Sequence, residues 1–372
     1  MLPFNKEDFI RYDMKFLEEQ GVKPYYLDLS NLFFKSEIES PTTPDLIPYF
    51  KSFKNRKDFK AFMLENKDDS ILALDLPLRA KTTWLYRMMT NVNIHYIGLN
   101  TRWFPRGLRN KDKKAQLKKI TLPYLLRKLK FELEYQTCRK FVRKADAVFI
   151  PNNKSKKYNQ VISEKTLKYY SHSSDYDQAM LSEGNVSEEY IVFIDVYYPH
   201  HPDLKLYGLL TSESTEDYHK NMNHLFKLLE EKTGKKVIIC AHPRRPKDRE
   251  NEFEFPLVYN KTSEYIKKAA LVVNHYSTAV NYVVIYNKPL LFVTMDAFSE
   301  NGSKKLIEIV ASRLGSTIIN GNHLNSADLD NQDYLKINNK LYQEFLNENI
   351  IHSQSSKNRF GKDLLNCISK IE

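Results

Sequence analysis

Residues 236–245 read KVIICAHPRR, and residues 262–294 read TSEYIKKAALVVNHYSTAVNYVVIYNKPLLFVT. Each run carries an apolar stretch of strand length, 237–241 and 270–274, that stops at a polar cluster. The first cluster is His242-Pro243-Arg244-Arg245 and the second is His275-Tyr276-Ser277-Thr278. The second cluster opens a short apolar helix, expected over 279–286 from Ala279, Val280, Val283 and Val284. Asn287 and Pro289 close it, and a further strand follows at 290–293. Strand, loop, helix, strand is the unit of a parallel α/β sheet, and such sheets bind ligands at the carboxyl ends of their strands. Histidine, arginine and hydroxyls at those ends, beside a helix N-terminus, suit an anion, most economically a nucleotide phosphate.

Working outward, Tyr190 begins another apolar run, YIVFIDV, and Thr215 is placed to cap a helix carrying Tyr218, Met222, Leu225, Phe226 and Leu229. Gly234 ends that helix. Beyond Asp296 the pattern gives a helix at 304–313, a strand at 316–319 and a helical tail from about 332. Towards the N-terminus a helical opening at 6–20 and a strand at 24–29 precede a buried strand at 70–76, a helix at 81–90 and a strand at 94–99. That is a second βαβ crossover. The run AVFIP (147–151) is one more strand, and a polar stretch follows to about Glu189. The resulting division is an N-terminal domain over 1–180, a C-terminal domain over 181–330 and a tail over 331–372 that crosses back to the first. Two α/β domains of similar size, each Rossmann-like and facing a cleft, describe the GT-B architecture; fold alone also admits epimerases and other nucleotide binders.

Composition narrows the class. The 372 residues are 28% charged and 42% hydrophobic, enough for two ordinary cores. No run approaches a membrane span, and the start MLPFNKEDF lacks a signal-peptide pattern. Three scattered cysteines suit a reducing cytoplasm. The net charge of +11 is concentrated: residues 102–144 hold fifteen Lys and Arg against Asp112, Glu132 and Glu134. The remainder is nearly neutral, so one basic segment needs explaining. It lacks a nucleic-acid module. An anionic membrane surface suits it, with Trp103, Phe104, Leu108, Leu122, Tyr124 and Leu125 for apolar contact. Part of it, 124–143, has Leu125, Leu129, Leu133, Cys138 and Phe141 at helical spacing with bases on the other face; a plain solvated helix is the alternative.

The His-Pro step at a strand end, with Ser277-Thr278 opening a helix some 35 residues later, resembles bacterial surface-polysaccharide glycosyltransferases that use CMP-activated acidic sugars, the Kdo-transferase and sialyltransferase-like enzymes. CDP-glycerol-dependent polymerases share a related layout. The resemblance covers roughly 190–293. It implies a CMP-sugar donor, no metal cofactor, and a glycan or lipid-linked glycan acceptor at the cytoplasmic face of the membrane. His242 becomes the phosphate contact or leaving-group acid, with Pro243 and Arg244 beside it. Ser277 and Thr278 become phosphate hydroxyl donors, with Asn274 and His275 adjoining. Asp195, interrupting YIVFIDV, matches the nucleophile of the retaining enzymes, and Glu132 or Glu134 its partner from the other domain. Many relatives carry an acid in the helix after the Ser-Thr pair, where this chain has Asn281-Tyr282.

The residues admit other readings. Ser277 and Thr278 are also good N-caps, Asp195 could brace the loop at Tyr197, and Glu132 and Glu134 could pair with surface lysines. Asp75, ending SILALDL, is a reserve base. Arg245 is expected to face solvent. His200, His201 and Asp203 do not complete a metal site. The function expected is therefore transfer of Kdo or a related nonulosonic acid to a bacterial surface glycan. The alternatives are a CDP-alditol phosphotransferase or UDP/GDP-sugar transferase of the same fold, and a non-catalytic basic subunit of a membrane assembly.

Overall fold

The computed structural model describes residues 4, 6–33, 44–100, 122–153, 161–182, 184–202, 204 and 209–371. These fall into two compact units. One contains the described residues of 4–177 together with 351–371, and the other contains those of 178–350.

The first unit has two sheets. Strands β1 (Tyr26–Asp28) and β2 (Phe50–Ser52) form a parallel pair. Strands β3 (Ile71–Leu74), β4 (His95–Gly98), β5 (Ala147–Ile150) and β6 (Leu167–Tyr170) form a parallel sheet in that order. β5 is buried at every position, and its neighbour β4 is buried at all but His95. β3 is an edge strand and only half-buried, with Ala73 exposed, so the expectation of a buried strand there is corrected. The reason is the alternation of an edge strand: one face packs on the helix Thr83–Val92 through Leu74, while on the other Ile71 packs against the cluster that holds Ile97 and Leu364 and Ala73 meets solvent. β6 lies inside the stretch that reads as polar, because only Leu167, Tyr169 and Tyr170 carry its apolar signal.

The helical opening is two helices, Lys6–Arg11 and Met14–Glu19, broken where Asp13 turns left-handed at φ 53°. Asp13 is buried, pairs with Arg359, and accepts from the Gly361 amide at 3.2 Å. A Cβ on Gly361 would lie 2.6 Å from Asp13 Oδ2, so no larger residue fits without movement. This contact fixes the C-terminal helix Phe360–Ile368 on the first unit. The tail does not cross as one piece. Residues up to 350 belong to the second unit, where Tyr342 donates to the Lys288 carbonyl at 2.9 Å.

In the second unit strands β7 (Tyr190–Ile194), β8 (Val237–Cys240), β9 (Leu257–Val258), β10 (Ala269–Asn274), β11 (Leu290–Thr294) and β12 (Thr317–Asn320) form one parallel sheet. Its order is β12-β11-β10-β7-β8-β9. Numbered from β7 this reads 6-5-4-1-2-3, the doubly wound order whose switch point lies between the first and fourth strands. β10 and β11 are buried throughout, as their unbroken apolar runs require in a sheet covered on both faces. The helix Thr215–Thr233 joins β7 to β8. Its cap is Ser214, whose Oγ accepts from the Asp217 amide at 3.0 Å, and not Thr215, which is the first helical residue. Gly234 ends it at φ 69°. The helix after the Ser-Thr pair is Val280–Ile285, two residues shorter than expected.

Candidate functional site

β7 and β10 are neighbours at the switch point, with β8 on the other side of β7. Three loops therefore leave the same edge of the sheet side by side: 195–202, 241–252 and 275–279. This juxtaposition places the sequence-selected residues of the C-terminal half in one region. Their exposures then separate them into groups that can meet a ligand and groups that hold the loops.

His242 follows β8 and is half-buried. Its Nδ1 accepts from the Arg244 amide at 3.2 Å, which leaves the ring proton on Nε2. Its pKa is pushed down to about 3, first by burial and then by the neighbouring His201 and Arg244. His201 packs edge-on against it, ring centres 4.8 Å apart. At neutral pH His242 is therefore an uncharged donor through Nε2–H. That corrects the expectation of a ready leaving-group acid: in these surroundings the ring offers a hydrogen bond and not a proton. Pro243 is exposed and Arg244 half-buried on the same turn.

Asp195 is fully enclosed. Its Oδ1 accepts from the Tyr197 amide at 2.7 Å, and its Oδ2 from the His242 amide at 3.3 Å and from Arg245 Nη1 at 3.4 Å. Neither the Asp195 nor the Arg245 side chain has any solvent exposure. Burial pushes the Asp195 carboxyl up, against the pull of Arg245 and the two amides. A nucleophile must reach an anomeric carbon, and a carboxylate with both oxygens engaged inside the protein does not. Asp195 is a brace between the loops after β7 and β8, and the nucleophile expectation is corrected.

Arg245, expected at the surface, is the buried cation that this carboxylate requires. It is held between Asp195 and Glu252, over the ring of Phe253 at 5.3 Å. Glu252 also receives Arg249 Nε at 2.7 Å, and Arg249 Nη2 reaches His200 Nε2 at 2.8 Å. Burial opposes ionisation of Glu252, yet Arg249 and Arg245 outweigh it and hold the carboxyl below its ordinary range. Sequence reading missed Arg249 and Glu252. The signal available was Asp195 itself, since a carboxylate inside an apolar strand demands a buried partner.

After β10, Asn274 is buried; its Oδ1 accepts from the Ser277 amide at 3.2 Å and closes the turn. His275 has no exposure: Nδ1 donates to the Val293 carbonyl at 2.6 Å and Nε2 accepts from the Tyr218 hydroxyl at 3.0 Å. Burial pushes its pKa down to about 4. Both were expected to adjoin a ligand, and both are instead interior supports of the turn. Ser277 is half-buried, its Oγ accepting from the Ala279 amide at 3.3 Å, and Thr278 is exposed. Asn281 and Tyr282 are buried, and the Tyr282 hydroxyl donates to Gln178 at 2.5 Å, so this position faces the interior.

Glu132, Glu134 and Asp75 belong to the first unit. Glu132 is exposed on the helix Leu122–Phe141 and accepts from Gln136 Nε2 at 2.7 Å, the bonding of a solvated helix face. Glu134, two residues on, is half-buried. Asp75 accepts from the Tyr12 hydroxyl at 3.3 Å. Among the described residues no group of three or more His, Cys, Asp or Glu is arranged to hold a metal ion, and no helix is long and apolar enough to cross a membrane. Asp203 and the basic residues of 102–121 lie outside the described residues.

Comparison with solved structures gives the fold a name. A variant of the wall teichoic acid polymerase TagF matches with a TM-score of 0.53 at 12% identity, over 97% of this chain and 85% of that one. The chain has the GT-B fold. A second TagF structure, soaked with CDPG, matches at a TM-score of 0.49 and 11% identity, over 99% of this chain and 86% of that one. The spinosyn forosaminyltransferase SpnP matches at 0.48 and 9% identity, over 100% and 97%. No family model matches the chain, and no curated protein matches it significantly. Within the GT-B fold the switch point of the second unit is where a ligand of the sheet belongs, and His242, Arg244, Ser277 and Thr278 are the selected side chains with open surface there.

Proposed function

We propose that this protein is a glycosyltransferase that takes an acidic sugar, Kdo or a related nonulosonic acid, from a CMP donor to a bacterial surface glycan. The observation that carries the reading is the placement of His242, Arg244, Ser277 and Thr278 on the loops that follow β8 and β10, the two strands flanking β7 at the switch point of a doubly wound sheet. A nucleotide leaving group gains negative charge as the glycosidic bond breaks. Donors already aimed at that position stabilise it without reorganisation. His242 contributes Nε2–H, Arg244 its guanidinium, and Ser277 and Thr278 their hydroxyls. The reading invokes no divalent ion. Asp195 and Arg245 act by fixing the His242 backbone. Asp75, Glu132 and Glu134, in the first unit, take no part in this reading.

The basic helix of that unit docks the protein on the anionic cytoplasmic face of the membrane, where lipid-linked acceptors reside. Leu129, Leu133 and Phe141 are 59%, 66% and 76% exposed, although their spacing reads as a buried stripe. They stand among exposed Lys130, Arg139 and Lys140, the mixture that an interfacial helix presents.

A second reading, CDP-alditol phosphotransfer, is favoured by the likeness to a wall teichoic acid polymerase. Thermal shift with CMP, CDP, UDP and GDP on wild type and His242→Ala separates them, because a ligand of the folded state raises Tm. Stabilisation by CMP that the variant loses supports the first reading. Preference for CDP supports the second, and preference for UDP or GDP keeps the transferase with another donor. Silence from all four leaves a non-catalytic basic subunit.

A further inference from the structure

Two histidines that are adjacent in the sequence go to different partners in the fold. In the loop after β7, Arg249 Nη2 reaches His200 Nε2 at 2.8 Å, and the His200 ring lies against that of Tyr197, centres 5.8 Å apart. His201 turns instead to His242 on the loop after β8, edge-on with ring centres 4.8 Å apart. Both members of this second pair are half-buried and keep part of their surface open.

The backbone that leads to His201 is held in place. Tyr197 is buried and left-handed at φ 53°, a conformation that costs an aromatic residue free energy and persists only where the surroundings impose it. Asp195 Oδ1 takes its amide, and its ring stands 5.7 Å from the Arg245 guanidinium and 5.8 Å from that of Arg249. Strain of this kind gathers at ligand clamps. His201-Pro202 also repeats the His-Pro step of His242-Pro243. A proline confines the residue before it to extended backbone, so each imidazole is offered with little freedom left to lose on binding.

The surroundings of the pair are positive. His201 and Arg244 both act on His242 as cations, lowering its pKa after the larger effect of burial. Two imidazoles this close resist carrying two protons, and an anion beside them removes that resistance. Each ring brings an N–H, and a phosphate offers several strong acceptor oxygens. We propose that His201 is a second phosphate contact of the nucleotide site, so that a phosphate bound by His242 is held between two imidazoles supplied by adjacent loops. The inference rests on the reading of His242 as a phosphate contact, and it applies to any nucleotide donor.

The test uses the full chain with inorganic pyrophosphate, which carries the anion without a base or a sugar. Affinity is read by calorimetry on wild type and His201→Gln, and the wild-type His201 ring is followed by side-chain NMR as pH is varied. His242 and Arg244 from the loop after β8, with His200 of its own loop beside Arg249 and Glu252, set the field at this ring. Its titration is therefore compared with and without the anion at fixed salt. Pyrophosphate should bind wild type, raise the pH at which His201 titrates, and bind about tenfold more weakly to His201→Gln. The wild-type titration keeps the test decisive if His201→Gln fails to fold. No pyrophosphate binding, equal affinity in the variant, or a His201 titration that the anion leaves in place each overturns the inference. A protein that holds pyrophosphate through His201 and ignores CMP keeps it and sinks the donor reading. CMP bound equally by wild type and His201→Gln does the reverse.

Discussion

Arg245 Nη1 stands 3.4 Å from Asp195 Oδ2, and neither side chain reaches solvent. The pair joins the loop after β7 to the loop after β8, because the same Oδ2 also accepts from the His242 amide at 3.3 Å. Removing one member leaves the other charge buried without its partner, which costs about 3–5 kcal/mol. Arg245→Met should lower the urea stability by about that amount and weaken nucleotide binding with it. Asp195→Asn keeps the shape and should lose less. Arg245→Met combined with Asp195→Leu should recover part of the single-variant loss, since no unpaired charge then remains between them. Unfolding followed by circular dichroism reads all three. An Asp195→Ala protein with wild-type stability and no turnover would instead restore the nucleophile role.

His242 and His275 make a different prediction, about pH. Both are held neutral, with pKa values pushed down to about 3 and about 4 by burial. In the unfolded chain each titrates near 6.5, so below that pH the unfolded state binds the extra protons. Their contribution to stability is complete above pH 6.5 and is lost as pH falls towards the folded values. At pH 5 the fully buried His275 alone should cost about 2 kcal/mol. Urea midpoints at pH 7, 6, 5 and 4 should fall in step, and His275→Gln should flatten the decline. In a side-chain NMR titration His242 should stay neutral through pH 5 in the free protein. CMP should raise its pKa, because a phosphate favours the imidazolium. An unmoved His242 titration in the CMP complex would argue against the phosphate contact.

Ser277 and Thr278 are neighbours in sequence with different structural duties. Thr278 is exposed, whereas Ser277 Oγ already accepts from the Ala279 amide. A hydrogen bond to a charged group is worth about 1.5–3 kcal/mol. Thr278→Ala should therefore weaken CMP binding tenfold or more with no change in Tm. Ser277→Ala should weaken binding and also lower Tm slightly, through the lost turn bond. Equal Tm losses and unchanged affinity would assign both residues to capping alone.

Much of the fold can be read from the chain because buried parallel strands are long apolar runs that end abruptly. That is why β7, β8, β10 and β11 and the loops behind them stand out. β6 and β9 do not, because β6 has no buried residue and β9 is only two half-buried residues long, so neither shows an apolar run. Within the site, position on a strand end was legible and orientation was not. His242 and His275 follow their strands in the same way, yet the first keeps an open edge and the second spends both ring nitrogens in the interior. Arg244 and Arg245 are adjacent, and the turn at Pro243 sends one outward and the other to Asp195. Loop direction depends on such tertiary partners, which no periodicity encodes. Asp195 was conspicuous for a sound reason, the cost of a carboxylate in an apolar strand. What the sequence does not display is that Arg245 meets that cost.

The basic helix gives the last prediction. Cys138 is buried beneath it, as its spacing requires, but Leu129, Leu133 and Phe141 point to solvent. Exposed leucines cost a soluble surface solubility without adding to the core, so a contact that covers them is the physical reason to keep them. With Lys130, Arg139 and Lys140 beside them, the covering surface should be anionic lipid, and each base near such a surface contributes about 1 kcal/mol. The full chain should float with vesicles of phosphatidylserine and phosphatidylcholine, and much less with phosphatidylcholine alone. Replacing the three bases by alanine should weaken the anionic-vesicle binding about a hundredfold and leave residual phosphatidylcholine binding unchanged. Leu129→Ser with Leu133→Ser should reduce both. Flotation that ignores the charge of the vesicle, or that survives loss of the leucines, would assign this helix to a protein partner in place of the membrane.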